Sequence, residues 1–275
     1  MRIICDTAAL IHPSESKEHG ITILPLNVTI SGNTYREFVD VEPKEFIELI
    51  KQGGVPQSSQ PSVGSVMEAF ESSDEEALVF AMADGLSGTY QTFEGVKQSM
   101  ETDKITVVNT RTLAGPEHHI VRKAIKMNVM GNTKEEILEE VNKMIDHSYS
   151  FLIPLDFGFL QRGGRLSKGA AFIGGLAKII PVLVQSDDGR TLEKLAMKRT
   201  FKGAAAEIAK ALEAKGVDKN YTIYLCHGDN MPLAEELKGY LMETFPECNY
   251  KFMQLSPAFL TQGGPGCVAI QAVLN

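Results

Sequence analysis

A continuous apolar run at residues 77–83, followed at once by a polar turn at 84–88, constrains this sequence more than any other feature. An uninterrupted apolar run of this length is typical of a strand that is buried on both faces of a parallel sheet. Beyond the turn, apolar residues recur at helical spacing over 90–100. The pattern predicts a strand, a tight turn and a helix, with free backbone N–H groups and the Ser87 hydroxyl directed at one point. The N-terminus of a helix stabilises an anion at such a point.

Strand and helix patterns alternate along residues 1–147, which favours an α/β fold with a mainly parallel sheet and helices on both faces. From residue 148 onward, hairpin patterns are interleaved with helices, and this mixture indicates a mixed sheet with helices. We therefore predict an N-terminal α/β domain at 1–148 and a C-terminal mixed α/β domain at 149–275. The strands predicted in the N-terminal domain are 2–5, 21–30, 77–83 and 104–109.

The charge balance narrows the class of partner. The chain has 35 acidic and 27 basic residues, and its formal net charge of −8 argues against nucleic acid or an anionic membrane as the main partner. Its four cysteines are scattered, without C-x-x-C or zinc-ligand spacing, which predicts reduced thiols and no metal site. The first residues lack a signal-peptide pattern, and no apolar run approaches the roughly 20 residues that span a bilayer. We expect a cytoplasmic protein without an integral membrane segment.

The turn at 85–89 is close to the nucleophile elbow G-x-S-x-G of serine hydrolases, but threonine stands at its fifth position. A catalytic triad also needs a histidine, and no sequence feature brings the candidate at a strand end, His227, to Ser87. The nucleotide-binding motifs G-x-x-x-x-G-K-[ST] and G-x-G-x-x-G are absent from the sequence. A serine-dependent acyl-ester hydrolase that uses Ser87 stays open as the alternative function. Three other histidines are interpreted as surface or capping residues: His118, His119 and His147.

Two further segments carry groups that bind anions. The polar loop 55–62 precedes a helical pattern, so we expect the Ser58 hydroxyl at a second helix N-terminus, although ordinary capping by a serine of this loop explains the same pattern. The glycine-rich segment 158–175 contains a basic cluster, in which Arg165 supplies positive charge. From these residues alone we infer a receptor for a small anion or a carboxylate. The cluster is equally well explained as a solvated basic surface: Arg162, Arg165 and Lys168.

Five short motifs follow one another along nearly the whole chain. They are Asp6-Thr7-Ala8, Ser58-Ser59-Gln60-Pro61-Ser62, Gly85-Leu86-Ser87-Gly88-Thr89-Tyr90-Gln91, Gly163-Gly164-Arg165-Leu166-Ser167-Lys168 and Gly263-Gly264-Pro265-Gly266. In this order they resemble the motifs of the DegV family, whose members include the FakB-type fatty-acid-binding proteins of bacteria. Although each motif is short, their shared order makes the resemblance specific.

The resemblance implies a two-domain α/β protein that binds one long-chain fatty acid, with the carboxylate between the domains and the acyl chain in a buried tunnel. It also implies a carrier subunit without catalysis of its own, which presents the carboxylate to the catalytic subunit of a fatty acid kinase for phosphorylation. The bound fatty acid is the expected ligand, and no cofactor is implied. The residues implied as head-group ligands are Ser58, Ser59, Gly85, Ser87, Gly88, Arg165 and Gln262.

Two positions depart from the family pattern. Ser58 stands where the family usually has threonine, and this exchange keeps the hydroxyl. Gln262 stands where the family usually has histidine before the last glycine turn. Glutamine keeps a hydrogen-bond donor but does not titrate near neutral pH. The sequence therefore predicts a neutral side chain at this point of the head-group site.

Overall fold

The chain folds into three β-sheets with helices between and around them, as seen in a computed structural model that describes residues 1–170 and 179–275. Within these residues, no helix combines the length and the apolar character that a bilayer span requires. The strands are β1 (Arg2–Asp6), β2 (Ile21–Leu24), β3 (Asn27–Ile30), β4 (Asn33–Arg36), β5 (Gln57–Ser59), β6 (Ala77–Ala81), β7 (Ile105–Asn109), β8 (Ser148–Ile153), β9 (Ile180–Gln185), β10 (Leu192–Lys198), β11 (Tyr221–His227), β12 (Asn249–Gln254) and β13 (Val268–Leu274). The α-helices of the described residues are α1 (Ser16–His19), α2 (Pro43–Lys51), α3 (Val63–Glu71), α4 (Thr89–Ser99), α5 (Gly115–Val129), α6 (Lys134–Asp146), α7 (Phe157–Gly163), α8 (Phe201–Ala214), α9 (Met231–Leu241) and α10 (Pro257–Gly263).

The first sheet is parallel throughout and has the strand order β2-β1-β6-β7. Successive side chains of a strand point to opposite faces, and both faces of β6 are apolar. Leu78 and Phe80 pack on the side of α5 and α6, whereas Ala77 and Val79 pack on the side of α3 and α4. The apolar run at 77–83 thus contains a strand buried on both faces, as predicted.

The second large sheet is mixed and has the strand order β10-β9-β8-β13-β11-β12. Among its described strands, β11 and β12 are the one parallel pair of neighbours. One face packs against α8 and α9, and the other shares a core with α5, α6 and the first sheet, where Cys226 and Val273 join Ile3. The predicted α/β class, with a mainly parallel sheet followed by a mixed one, is confirmed. The domain boundary near residue 148 stays a prediction.

The predicted strand at 21–30 is wrong in one respect, because the structure divides it at Pro25 into β2 and β3. Proline has no backbone N–H to donate to a neighbouring strand, so a sheet ladder is interrupted there. The next N–H, that of Leu26, donates to the hydroxyl of Thr7 at 2.9 Å. The break sends β3 into a separate antiparallel sheet of strand order β4-β3-β5.

Two segments for which no strand or helix was predicted contain regular structure. The polar loop 55–62 contains β5, which pairs with β3. The glycine-rich segment 158–175 overlaps α7, whose N-terminus is capped by the carboxylate of Asp156. Residues 171–175 of that segment lie outside the described residues. Both elements are short, and a strand of 3 residues or a helix of 7 residues carries too little periodicity to be predicted from sequence.

A buried carboxylate connects the small sheet to α10. Glu37 follows β4 and is fully buried. Its carboxylate accepts hydrogen bonds from the hydroxyl of Thr7 and, at 2.8 Å, from the backbone N–H of Ala258 in the first turn of α10. Burial raises the pKa of Glu37 to about 7, and these hydrogen bonds oppose the rise only in part. The start of α10 is therefore fixed by a side chain from the N-terminal half of the chain.

We expect Glu37→Gln to make the stability of the protein less dependent on pH. The pKa of Glu37 rises from 4.5 to about 7 on folding, so the folded state binds this proton more tightly than the unfolded chain. The stability that the proton confers is complete below pH 4.5 and is lost as the pH rises through about 7, on the order of 3 kcal/mol in all. Urea denaturation across this interval should show a smaller decline in the variant than in the wild type.

Some decline should remain in the Glu37→Gln variant, because burial also raises the pKa of Asp6 to about 7. Glutamine retains a partner at both positions: its oxygen accepts from Ala258 as before, whereas the bond to Thr7 is reversed, because the amide group donates to the hydroxyl. Identical slopes of stability against pH in both proteins would show that Glu37 does not titrate in this range.

Candidate ligand-binding site

A cavity lies where the two large sheets and α10 meet. Strands β8 and β13 contribute to one wall, and the loop after β6 and the segment before α5 contribute residues from the N-terminal half. Most of the lining is apolar. Among the apolar lining residues are Leu26, Met82, Leu113, Phe151, Leu255 and Phe259. Burial also raises the pKa of the lining Cys267 to about 12, so its thiol is neutral.

Arg165 is the one charged side chain among the described residues that line this cavity. Its guanidinium donates from Nε to the carbonyl oxygen of Leu86 at 3.1 Å and from Nη1 to the carbonyl oxygen of Gly163. A guanidinium carries five N–H donors, so further donors remain for a ligand. Because the surroundings are largely apolar, the positive charge is poorly screened and favours an anion.

Ser87 follows Leu86, whose carbonyl oxygen binds this guanidinium, and it lines the same cavity. Its Oγ lies 2.8 Å from the hydroxyl of Thr89 and accepts the Thr89 N–H at 3.3 Å. Helix α4 begins at Thr89, so the Ser87 hydroxyl and the positive end of the helix dipole lie together. The predicted strand, turn and helix are observed, with Ser87 at the cavity.

Ser58 lines the cavity from a strand and not, as predicted, from a helix N-terminus. Ser62 caps α3 instead, where its Oγ accepts the N–H of Ser65 at 3.1 Å. Because β5 pairs with β3, Ser58 meets α10, and its Oγ lies 3.2 Å from Thr261 Oγ1 and 3.5 Å from Gln262 Nε2. The prediction that Ser58 lies at a helix N-terminus is therefore wrong, although Ser58 does line the cavity.

Gln262 contributes a neutral polar group from α10. Its Nε2 donates to the hydroxyl of Thr261 at 3.1 Å. Its Oε1 is buried and has no hydrogen-bond partner within the described part of the chain. A buried carbonyl oxygen without a donor is unfavourable, so this atom is available to a ligand group that donates a hydrogen bond.

Five of the seven residues predicted as head-group ligands therefore line one cavity. They are Ser58, Ser59, Ser87, Arg165 and Gln262. They come from β5, the turn before α4, the segment after α7, and α10. The fold brings these distant segments together at one cavity. The residues could be predicted from the sequence, but their arrangement around the cavity could not.

The other two predicted ligand residues, Gly85 and Gly88, are absent from the described lining. A Cβ atom on Gly85 would lie 2.3 Å from the Cα atom of Arg190, in the turn between β9 and β10. The Arg190 guanidinium also binds the Asp84 carboxylate at 2.8 Å. On Gly88, a Cβ atom would lie 3.2 Å from Oε1 of Gln60. Close packing of the β9–β10 turn therefore explains the glycine at 85.

Ser87 has no general base at the cavity, because none of the described lining residues is histidine, aspartate or glutamate. The one histidine at a strand end, His227, is engaged elsewhere, since its Nδ1 accepts the N–H of Asn230 at 3.2 Å. The arrangement offers an anion receptor, and the described residues supply no triad for acyl-ester hydrolysis.

The interpretation of His118 and His119 as surface or capping residues is wrong. Both lie inside α5 and are half-buried. Their Nδ1 atoms lie 3.0 Å from the carbonyl oxygen of Ala9 and 3.1 Å from the hydroxyl of Tyr224, respectively. Burial lowers the pKa of both to about 4, so both are neutral at physiological pH. His147 is the C-cap residue of α6, as predicted.

Three polar lining residues were not singled out from the sequence: Gln60, Ser150 and Gln271. Gln60 lies inside a motif that the sequence analysis quotes, directly after Ser59. Ser150 and Gln271 lie within β8 and β13. A polar residue on the inner face of an otherwise apolar strand is the only sequence signal that marks them.

Fold and cavity together define an α/β protein with a largely apolar cavity, at which the described residues place one cationic side chain. The sequence model of the DegV family, described as uncharacterised proteins, matches residues 1–275. This chain belongs to the DegV family.

Known relatives of this chain match it over almost their whole length. The DegV domain-containing protein YteA of Lactococcus lactis is 29% identical over 282 residues, covering 99% of this chain and 97% of that protein. A DegV family protein of Thermus thermophilus, described as binding fatty acid, has a TM-score of 0.87 and 25% identity, covering 100% of this chain and 99% of that one. DegV of Bacillus subtilis, described as a fatty acid binding protein, has a TM-score of 0.84 at 25% identity and the same coverage.

Gly85→Ala should destabilise the fold, because the new methyl group would lie 2.3 Å from backbone of the β9–β10 turn. The overpacking should lower the free energy of unfolding by about 1–3 kcal/mol in urea denaturation. Gly95→Ala, in α4, is the matched control: its methyl group meets nothing within 4 Å, and alanine favours the helix. If Gly85→Ala kept full stability and lost ligand affinity, Gly85 would act on the ligand directly.

Proposed function

We propose that this protein binds one long-chain fatty acid, with the carboxylate at Arg165 and Ser87 and the acyl chain in the apolar cavity. One observation carries the proposal: the single charged side chain among the described lining residues is a cation, in an otherwise largely apolar wall. An anion with a long apolar tail meets both conditions. The fatty acid binding described for the proteins of Thermus thermophilus and Bacillus subtilis, each 25% identical, supports the same ligand.

The two ends of the ligand contribute differently. Each methylene group that leaves water for the cavity contributes about 0.8 kcal/mol, so the tail supplies most of the affinity. The guanidinium of Arg165, the Ser87 hydroxyl and the N-terminus of α4 fix the position of the carboxylate through charge-assisted hydrogen bonds. Ser58, Ser59 and Gln262 complete the polar end of the site.

In this proposal the protein is a carrier without catalysis of its own. It presents the carboxylate to the catalytic subunit of a fatty acid kinase, which phosphorylates it, and the carboxylate lies between domains at 1–148 and 149–275. The lack of a general base among the described lining residues supports binding over hydrolysis at Ser87. Two exposed cations, Arg162 and Lys168, flank Arg165 in the sequence and suit an acidic partner surface.

Native mass spectrometry of the protein purified from a bacterial host tests the ligand class directly. We expect an added mass that equals one long-chain fatty acid, which is released on denaturation and identified by its acyl composition. A ligand-free protein that hydrolyses acyl esters would instead favour the hydrolase.

Ser87→Ala should weaken fatty acid binding by about 1–2 kcal/mol, which is roughly a 5- to 30-fold rise in Kd, because one hydrogen bond to the carboxylate is lost. Displacement of a fluorescent fatty acid measures the change. Ser62→Ala is the matched control, since it removes the hydroxyl that caps α3 and does not line the cavity. It should cost about 1 kcal/mol of stability and leave the affinity unchanged. Equal affinities of wild type and Ser87→Ala would reduce Ser87 to a local turn residue.

Reversing charge at the two exposed cations, in the double variant Arg162→Glu and Lys168→Glu, should lower acyl phosphate formation by a cognate kinase at least tenfold. The occupancy of the cavity should stay the same, because neither side chain is part of the described lining. Lys219→Glu, at an exposed lysine between α8 and β11, is the control for a general effect of charge. Unchanged phosphorylation in the double variant would mean that the kinase contacts another surface.

A further inference from the structure

A second group of polar side chains lies in the wall of the cavity, on the neighbouring strands β8 and β13. Ser150 of β8 stands directly opposite Gln271 of β13 in the sheet register. Both are buried, at 6% and 2% exposure, and both line the cavity. Their strand neighbours on the cavity wall, Leu152 and Ala269, are apolar. A polar pair in such a wall requires an explanation, because buried polar groups are unfavourable unless they are fully hydrogen-bonded.

The hydrogen bonds of Gln271 fix the orientation of its amide group. Its Oε1 accepts the backbone N–H of Gly115 at 3.0 Å, and its Nε2 donates to the carbonyl oxygen of Leu113 at 3.0 Å. Exchanging the two atoms would oppose donor to donor and acceptor to acceptor. The second Nε2 hydrogen points to Ser150 Oγ at 2.8 Å, so both N–H donors of this amide group are used.

Ser150 is therefore an acceptor toward Gln271, and its own hydrogen points elsewhere. A serine hydroxyl has one donor, and within the described part of the chain the side chain of Ser150 makes no other hydrogen bond. The O–H group is buried and borders the cavity. A ligand in the cavity is consequently the partner to which this hydrogen is available.

Measured along β13, the Ser150 hydroxyl lies several residues from the part of the cavity near Gln262. Cys267 lies against Gly263, next to Gln262, and Gln271 follows on the same face of the sheet. At about 3.3 Å per residue, Gln271 lies about 13 Å beyond Cys267 along the strand. Ser150, opposite Gln271, is thus separated along the strand from the end of the site at Gln262, and in the proposed binding mode it faces the acyl chain.

We propose that the acyl chain for which this cavity is built carries an oxygen substituent, a hydroxyl or a carbonyl group, that accepts a hydrogen bond from Ser150. This inference rests on the proposed fatty acid function and names the class of fatty acid. An unsubstituted chain leaves the Ser150 hydrogen without an acceptor, whereas an oxygen at the matching carbon supplies one. Gln271 is the positioning residue, because its amide group directs the hydroxyl hydrogen of Ser150 toward the ligand.

The experiment compares palmitic acid with a set of hydroxypalmitic acids, each with one hydroxyl at a successive carbon from the middle of the chain to its methyl end. Displacement of a fluorescent fatty acid gives Kd for every acid with the wild type and with Ser150→Ala. For at least one isomer, the preference over palmitic acid should be about fivefold greater in the wild type than in the variant, the effect of one hydrogen bond. Palmitic acid itself should bind the variant at least as tightly as the wild type.

Two further variants make the result decisive. Ser148→Ala, on the same strand, removes a hydroxyl that donates to the carbonyl oxygen of Met144 at 2.8 Å and does not line the cavity, so every preference should stay as in the wild type. Ser150→Cys keeps an atom of similar size with a much weaker donor, and it decides the question if Ser150→Ala does not fold. Equal preferences in the wild type and both Ser150 variants, for every isomer, would overturn the inference while fatty acid binding stands. Binding of neither palmitic nor hydroxypalmitic acid by the wild type would instead reject the proposed function.

Discussion

The guanidinium of Arg165, bonded to backbone carbonyls of both halves of the chain, is the contact on which the candidate site depends. One carbonyl belongs to Leu86, in the turn after β6, and the other to Gly163, at the end of α7. The backbone of Arg165 is held in turn by the start of β10, because its carbonyl oxygen accepts the N–H of Leu192 at 3.0 Å. A cation fixed at both ends of its segment loses little freedom when an anion arrives, so its charge is pre-organised.

The turn between β9 and β10 supports this arrangement from outside. Arg190 packs its backbone against Gly85 and its guanidinium against Asp84, so the turn meets the loop that carries Ser87. Gln185 of β9 adds a hydrogen bond to the carbonyl oxygen of Arg111 at 3.0 Å. Side chains of the C-terminal half thus fasten two loops of the N-terminal half, and the relative position of Ser87 and Arg165 follows from this packing.

Most of the fold was predictable because long elements carry periodicity. The alternation of strand and helix patterns over 1–147 predicted the parallel sheet, the apolar run at 77–83 and the stripe of α4 predicted β6 and the helix after it, and hairpin patterns after residue 148 predicted the mixed sheet. The prediction errors occur where a single residue or a short segment determines the secondary structure. Pro25 divides a strand whose apolar pattern continues across it, and β5 is too short to show alternation.

The residues of the candidate site likewise fall into those that local sequence predicts and those that only contacts between distant segments place there. Ser87 was predictable because its surroundings are built by its own neighbours in the chain. Ser58 was expected at the site for the wrong reason, since its partner α10 lies about two hundred residues further along the sequence. The glycine at 85 has its cause in Arg190, a contact with no local signal. Ser150 and Gln271 are ordinary strand residues until the register of β8 and β13 sets them opposite each other.

The buried thiol of Cys267 bears on the chemical fate of whatever the cavity holds. A thiol attacks electrophiles as the thiolate, and with a pKa of about 12 the thiolate of Cys267 is a negligible fraction at neutral pH. A thiolate in the wall of a cavity proposed to hold a fatty acid would react with oxidised or activated acyl groups, which acylate or alkylate thiolates. Here the burial that accompanies an apolar wall also keeps the thiol of Cys267 protonated and therefore weakly nucleophilic.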